Sequence, residues 1–281
     1  MENKILFVDG SNLLFQMFFG MPSRITAKDG TGIWGVLGFT GALLKIIRSI
    51  SPTHIAVFFD GQHENRRLEM NAEYKANRPD YSQVPDEENP FSQLPYIYQA
   101  LKYLGIAFAE TTDCETDDWI SGFVNRYGNE NKIIISSFDS DFFQLIIENV
   151  SILRYRGKNS CLCDSGYLLE KYGISPCQYT DFKSLTGDAA DNIKGADKIG
   201  PKTASALLSE FGTLDNIIKN ADKIKKPSVR ASIKENSGRL ILNYRLIKLD
   251  DKAALPFSLD EIRYVYEGAT AMEVLQRIGL V

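Results

Sequence analysis

Residues 4–9 read KILFVD, residues 53–60 read THIAVFFD, and residues 132–139 read KIIISSFD. Each stretch is a continuous apolar run, rich in β-branched and aromatic side chains, of the length expected for a strand buried on both faces. Each run also ends in an aspartate. We therefore predict three central strands of one sheet, with an acidic side chain at the same end of each. These side chains are Asp9, Asp60 and Asp139.

Helix-like segments separate the three runs, at residues 33–50, 91–104 and 116–127. Strands that alternate with helices indicate an α/β fold with a mainly parallel sheet. Ligands of such sheets bind outside the carboxyl ends of the strands. The strand-end aspartates are therefore expected at the site, although they lie far apart in sequence.

The 281 residues are 44% hydrophobic, which is sufficient for a substantial core. The start, MENKILFVDG, passes directly into a strand-like run without a signal region, and no apolar stretch is long enough for a membrane span. We expect a soluble, cytoplasmic monomer that has no membrane partner.

Four cysteines and two histidines limit the chemistry. The cysteines form no CxxC pair and have no nearby histidine cluster, which argues against a zinc site and against a disulfide framework. Two histidines provide few candidates for chemistry that needs a histidine base. Carboxylates are therefore the expected reactive groups.

The net charge of −4 and the pI near 5.4 argue, taken alone, against a nucleic-acid partner. The distribution of charge matters more than its sum. Metal ions would offset acids gathered at one site. Residues 219–239 carry seven Lys or Arg against two acids and form a local basic stretch.

Beyond the strand ends, acids cluster in ETDD at 115–118, FDSD at 138–141 and GDAAD at 187–191. Acids spaced in this way around a strand end or a helix start can converge, and an all-oxygen ligand set suits Mg²⁺ or Mn²⁺. Two such ions can support phosphodiester hydrolysis. The nine acids are Asp9, Asp60, Glu115, Asp117, Asp118, Asp139, Asp141, Asp188 and Asp191.

An alternative interpretation applies to each acid taken singly. An aspartate before a helix is commonly an N-cap, and Asp117, Asp118 and Asp141 fit caps or partners of a helix dipole. The metal hypothesis depends on the whole set. Chance does not readily place an aspartate after three buried strands and two further acid clusters in one chain.

Residues 61–86 interrupt the alternation of strands and helices with a long, polar, weakly helical insertion directly after Asp60. Long insertions beside a site are often lids or binding elements. After about residue 175 the pattern changes to short helices joined by turns that contain glycine, and no strand pattern is evident until the tail.

With these features the chain resembles the 5'-nuclease family, which includes flap endonucleases and the 5'-3' exonuclease domain of bacterial DNA polymerase I. The resemblance covers nearly the whole chain, and its motifs match in order and spacing. They are VDGSN at 8–12, FFDG at 58–61, EYKANRP at 73–79, ETDDWI at 115–120, FDSDFFQL at 138–145, LTGDAADNIKG at 185–195 and IGPKTA at 199–204.

The resemblance implies a PIN-like catalytic domain over 1–174, with a helical arch at about 61–86, and a helix-hairpin-helix subdomain with a C-terminal tail over 175–281. It implies a standalone nuclease with two Mg²⁺ ions, which Mn²⁺ can replace. Asp9, Asp60 and Glu115 match the first metal position, and Asp117 reaches both. Asp139, Asp141 and Asp191 match the second. Asp118 and Asp188 match acids that act through water.

The resemblance also assigns DNA contacts. The arch positions are Arg67, Tyr74, Lys75 and Arg78, and Lys75 is the candidate for electrostatic catalysis beside Asp9, Asp60 and Asp139. The hairpin positions, where family members often bind K⁺, are Gly195, Ile199, Gly200, Lys202 and Thr203. A solvated amphipathic helix and a simple glycine-ended turn are the structural alternatives.

Four positions depart from the family pattern. Gln16 replaces an arginine, Arg66 an aromatic residue, Phe138 a small residue, and Lys198 a hairpin glycine. They bear on how the 5' nucleotide is held, on access to Asp139 and on the K⁺ geometry.

The leading hypothesis is a metal-dependent nuclease for DNA with a 5' flap, 5' overhang or nick. A non-catalytic or weakly active binder of branched DNA is the alternative, because Gln16 and Phe138 could impair substrate placement. A PIN-like ribonuclease ranks last, because such proteins lack the arch and hairpin; comparing RNA with DNA flaps would discriminate.

Overall fold

The computed structural model describes residues 3–61 and 66–281. Residues 62–65, part of the predicted arch, lie outside this range. The strands are β1 (Lys4–Asp9), β2 (His54–Phe59), β3 (Ala107–Glu110), β4 (Lys132–Ser136), β5 (Val150–Arg154), β6 (Cys161–Cys163), β7 (Gly187–Asp188) and β8 (Ile193–Lys194). The helices of the first part are α1 (Gly10–Gly20), α2 (Trp34–Ile50), α3 (Arg66–Met70), α4 (Leu94–Tyr103), α5 (Thr116–Tyr127) and α6 (Ser165–Tyr172). The later helices are α7 (Tyr179–Thr186), α8 (Pro201–Phe211), α9 (Leu214–Lys219), α10 (Pro227–Ile247) and α11 (Ala271–Arg277).

A six-stranded sheet in the order β3-β2-β1-β4-β5-β6 forms the centre of the first part. All neighbouring strands are parallel except β5 and β6. β1, β2 and β4 are the three predicted strands, and their interiors are buried, as expected for strands covered on both faces. The predicted α/β fold with helices on both sides is confirmed.

Helices cover the sheet because alternate side chains of each strand point to opposite faces. On one face Phe7 and Phe58 pack against Phe123 of α5, together with helices of the C-terminal part. On the other face Phe59 stacks with Phe39 of α2. Both cores include residues of β1 and β2, so α5 and α2 pack on opposite faces of the same sheet.

Some elements were not predicted from sequence. The strands β3 and β6 have four and three residues, too short for a periodic signal. α1 begins and ends with glycine, a residue of low helix propensity. The two-residue ladder of β7 and β8 lies where only helices and turns were expected.

The insertion is less helical than an arch would suggest. Among residues 66–86 the helix α3 has five residues, and turns follow it. The segment after residue 175 is helical, as predicted, and α10 is its longest helix at 21 residues. In the part of the chain that the structure describes, no helix has the length and apolar character to span a bilayer.

Candidate metal centre and nucleic-acid interface

Two strand-end aspartates meet at one edge of the sheet because β1 and β2 are parallel neighbours. Asp9 is the N-cap of α1: its Oδ1 accepts from the backbone N–H of Asn12 at 2.9 Å, and its Oδ2 accepts from Ser137 Oγ at 2.8 Å. Asp60 follows β2, and its Oδ1 accepts from the N–H of Thr116 at 3.0 Å. The start of α5 is thereby attached to the end of β2.

The first turn of α5 supplies three further acids. Glu115 is the N-cap, and Asp118 completes a capping box with it. Asp117 lies in the same turn, where the helix dipole favours negative charge. These acids are therefore caps or dipole partners, as one interpretation of the sequence holds, and they also lie beside the strand-end aspartates.

The second acid group forms after β4 and at the β7–β8 turn. Oxygens of Asp141, Asp188 and Asp191 all lie within 4.8 Å of one another. Asp139 Oδ1 accepts from the N–H of Asp141 at 2.8 Å, so the strand-end aspartate adjoins this set. Asp188, which the resemblance places behind a water, lies within the tight set.

No second set of three carboxylates is as tight within residues 3–61 and 66–281. Asp9, Asp60, Glu115 and Asp117 instead line a common cavity of about 1100 Å³, together with Asp139. The first acid group therefore opens into this cavity, and the second adjoins it through Asp139.

The segment after α3 contacts acids of both groups, Glu115 and Asp191. The hydroxyl of Tyr74 donates to Glu115 Oε2 at 3.1 Å, and Lys75 Nζ forms an ion pair with Oε1 of the same carboxylate. The backbone N–H of Lys75 donates to the carbonyl of Asp191, and Arg78 Nη2 binds Asp191 Oδ1 at 2.9 Å. Cations of the predicted DNA-binding segment thus pair with one acid of each group, Lys75 with Glu115 and Arg78 with Asp191.

Arg67 has a different environment from the other predicted arch residues. Its side chain is buried, with residue exposure of 6%. Its guanidinium donates to both oxygens of Asp118, at 2.9 and 2.7 Å, and to Glu115 Oε2 at 2.8 Å. Its Nε donates to the carbonyl of Leu246 at the end of α10. Arg67 therefore joins α3, α5 and α10.

Burial raises the pKa of Asp9 to about 7, and the charge of Asp60 adds to this effect. Burial also raises the pKa of Asp117 well above its ordinary value, with repulsion from Glu115 next in importance. The pKa of Glu115 itself is lowered: burial opposes this shift, but the charges of Lys75 and Arg67 outweigh it. The close pair with Lys75, which Asp117 lacks, distinguishes Glu115 from Asp117.

In the second group, burial raises the pKa of Asp141 well above its ordinary value, and repulsion from Asp139 adds to it. The pKa of Asp139 is raised mainly by burial. Lys183 of α7 pairs with Asp188, and its Nζ lies 3.9 Å from Asp141 Oδ1. One lysine does not neutralise these acids.

The residues fit divalent cations. Oδ1 of Asp117 and Oδ1 of Asp141 are buried, and among the described residues neither has a hydrogen-bond partner. A buried carboxylate oxygen without a donor is costly unless a cation or water binds it. The donor set is oxygen only, as Mg²⁺ and Mn²⁺ prefer.

One wall of the large cavity is aromatic. The rings of Phe15, Tyr81 and Phe91 contact one another edge to face, with centroids 5.4 to 5.7 Å apart. All three line the cavity that Asp9 and Lys75 also line. Aromatic rings beside carboxylates and cations suit a base with its phosphate.

The predicted hairpin lies between α7 and α8. Gly195 packs against backbone atoms of residues 185–187, and a Cβ there would meet them at 2.4 to 2.6 Å. Gly200 is the N-cap of α8, and the N–H of Thr203 donates to its carbonyl. Lys202 is exposed in the first turn, whereas Ile199 is buried and contributes to the core instead of the surface.

Three of the four departures from the family pattern are accounted for by contacts or backbone geometry. The amide of Gln16 donates to the carbonyl of Tyr155 at 2.7 Å. Arg154 and Arg156 lie over the ring of Phe138, which is thereby held beside Asp139. Lys198 has φ +65°, in the left-handed region. The turn that a glycine would favour therefore forms with lysine in its place.

Sequence reasoning missed Lys183 and Ser137. Lys183 lies five residues before Asp188, and this nearness in sequence could have indicated the ion pair. The structure confirms that α7 turns Lys183 toward the acids. Ser137 gave no signal, because its contact with Asp9 spans 128 residues. The basic stretch at 219–239 extends into α10, where Arg239 donates to the carbonyl of Gly195.

Comparison with known proteins identifies the family. Residues 4–173 match the 5'-3' exonuclease N-terminal resolvase-like domain, and residues 174–268 match the 5'-3' exonuclease C-terminal SAM fold. The 5'-3' exonuclease of Buchnera aphidicola is 34% identical over 260 residues, which cover 89% of this chain and 88% of that protein.

DNA polymerase I of Lactococcus lactis is 34% identical over 272 residues, 93% of this chain; the match spans 30% of the polymerase's length. The structure of the bacteriophage T5 flap endonuclease, a pseudo-enzyme-product complex with DNA and metal ions, has a TM-score of 0.73 at 21% identity. The structural match covers 99% of this chain and 94% of the T5 chain. The fold is shared, and the chain belongs to the 5'-3' exonuclease family, a family of phosphodiester hydrolases.

Proposed function

We propose that this protein is a divalent-metal-dependent nuclease that hydrolyses phosphodiester bonds at 5' ends and 5' flaps of DNA. The observation that carries the proposal is a pair of neighbouring acid groups, one lining the large cavity and the other adjoining it through Asp139, with buried carboxylate oxygens that lack hydrogen-bond donors. The T5 enzyme, which has the same fold, was crystallised with DNA and metal ions.

The acids would hold two ions. Asp9, Asp60, Glu115 and Asp117 are the ligands proposed for the first, and Asp139, Asp141 and Asp191 for the second, with Asp118 and Asp188 as supporting acids. Bound Mg²⁺ or Mn²⁺ would activate water and stabilise the charge of the leaving oxygen. The raised pKa values of Asp117 and Asp141 support this assignment, because cations favour the ionised form.

Other residues would bind and orient the DNA. Lys75 lines the cavity, where its ammonium can stabilise negative charge on the attacked phosphate. Arg78, half exposed, can contact an adjacent phosphate. The aromatic wall offers a surface for a base. Gly195, Gly200, Lys202 and Thr203 would contact the duplex through backbone N–H groups and one lysine.

K⁺ at the hairpin is a finer proposal. The left-handed backbone of Lys198 supports it, because the turn keeps the shape that a glycine would give. The measurement is the binding of duplex DNA in K⁺ against tetramethylammonium at equal ionic strength. Equal affinity in the two salts would exclude the ion.

The test of the proposed function uses a 5'-flap DNA, labelled separately at each end, with Mg²⁺, Mn²⁺ or EDTA. We expect cleavage with either metal and none with EDTA, and the product sizes distinguish flap removal from stepwise trimming. Asp139→Ala and Asp60→Ala should abolish cleavage and retain most DNA binding. Binding without turnover by the wild type in both metals would favour the non-catalytic alternative, and cleavage by either variant would contradict the assigned ligands.

A further inference from the structure

A second cavity, of about 280 Å³, lies next to the site described above and shares Arg67 and Asp118 with it. We name it the basic cavity. Its cationic lining residues are Arg66, Arg67, Arg245, Lys248 and Lys252, and its acids are Asp113, Asp118 and Asp250. Five cations against three acids leave an excess of two positive charges in a protein of net charge −4.

Exposed side chains of the basic cavity carry its excess positive charge. Arg67, which is buried, is neutralised by Asp118. Arg66, Arg245 and Lys252 are exposed, and in the ranges 3–61 and 66–281 no carboxylate lies within ion-pair distance of them. Asp250 accepts from the backbone N–H of Lys252. These cations are therefore available to an anionic ligand.

The basic cavity shares a wall with the metal centre. The guanidinium of Arg67 bridges Asp118, which lines the basic cavity, and Glu115, which lines the large cavity. The bond from Arg67 to the carbonyl of Leu246 fixes the end of α10, which carries Arg245. The helix end that carries Arg245 is thus attached to the wall that the two cavities share.

We propose that the basic cavity binds a backbone phosphate of single-stranded DNA, with Arg66 and Arg245 as the main contacts. The identity of the strand rests on the proposed function. The volume of the basic cavity is near the lower end of the range for small-molecule sites, roughly 300–1,000 Å³. A flexible strand can place one phosphate in such a recess, whereas a duplex presents its phosphates along a rigid convex surface.

The test measures DNA binding in EDTA by fluorescence anisotropy, so that it does not depend on cleavage. The variant is Arg66→Ala/Arg245→Ala, and the control is Lys45→Ala/Arg48→Ala, which removes the same charge from exposed positions of α2. We expect the variant to bind 5'-flap DNA about 10-fold more weakly than wild type. The slope of log Kd against log salt should fall by about 0.7 per lost contact.

Flush duplex DNA and thymidine 5'-monophosphate distinguish the source of the phosphate. Unchanged affinity of the variant for flush duplex would support a single-strand contact. An equal loss for flap and flush DNA, or an equal loss in the control, would overturn the proposal. Competition by the mononucleotide that disappears in the variant would overturn it in favour of a free nucleotide. If wild type binds the flap but never cleaves it, the proposed function fails and the binding result remains valid.

Discussion

The substitution Arg67→Met tests whether Arg67 holds three helices together. The structure buries its guanidinium between Asp118 and Glu115 and attaches it to the Leu246 carbonyl. Removing one partner of a buried ion pair leaves an uncompensated charge and costs about 3–5 kcal/mol. Methionine replaces much of the volume, so the loss arises mainly from Asp118 and from the unsatisfied carbonyl.

The assay is equilibrium unfolding in urea, in EDTA. With a slope of about 3 kcal/mol/M for a protein of this size, the midpoint should fall by roughly 1–1.7 M. Arg78→Met is the matched control: its side chain is 51% exposed and its ion pair with Asp191 should contribute no more than about 1 kcal/mol. Asp118→Leu, alone and combined with Arg67→Met, completes a double-mutant cycle.

We expect the double variant to be more stable than the sum of the single losses predicts, by more than about 1 kcal/mol, because neither charge then remains alone. If Arg67→Met loses no more stability than Arg78→Met, or if the cycle is additive, the reasoning is refuted. Weakened DNA binding with unchanged stability would instead make Arg67 a direct DNA contact.

Three further predictions follow from the site. Lys75→Ala should lower kcat for flap cleavage by about 100-fold with little change in KM, and an unchanged kcat in steady-state kinetics would exclude electrostatic catalysis by Lys75. Because the folded pKa of Asp9, about 7, lies above its ordinary value of 3.8, Asp9 alone should contribute a loss of up to about 4 kcal/mol of stability in EDTA as pH rises from 4 through 7, and the other acids with raised pKa values add to it; in urea titrations at pH 5 and 8, Asp9→Asn should lose less stability than wild type by about 2.5 kcal/mol. Lys198→Gly should raise stability by about 1 kcal/mol because φ is +65°, whereas Lys202→Gly, in the first turn of α8, should not stabilise the protein in the same thermal melts.

The sequence predicted the elements whose signals are continuous and local. The runs before Asp9, Asp60 and Asp139 are confirmed as strands, because burial on both faces requires an unbroken apolar sequence. β3 and β6 are specified by their neighbours in the sheet, so their few residues carry no signal of their own.

The site was predictable at the level of residue type and less so at the level of contacts. The acids could be identified because strand ends of parallel neighbours lie at one edge. The partners of Arg67 could not be identified from sequence, because its hydrogen bonds to Asp118 and Leu246 span 51 and 179 residues. The position of Asp188 beside Asp141 and Asp191 could not be predicted either, because it depends on the short β7–β8 ladder.

The two interpretations of the acids, as helix caps and as metal ligands, are compatible in this fold. Asp9 caps α1, and Glu115 and Asp118 form the capping box of α5. Helix N-termini carry partial positive charge, which lowers the cost of ionised carboxylates at the strand ends. A capping residue uses one oxygen for the backbone, as Asp9 does with the N–H of Asn12, and retains lone pairs for another ligand. The strand-to-helix junctions can therefore gather acids for cations while they also begin the helices that cover the sheet.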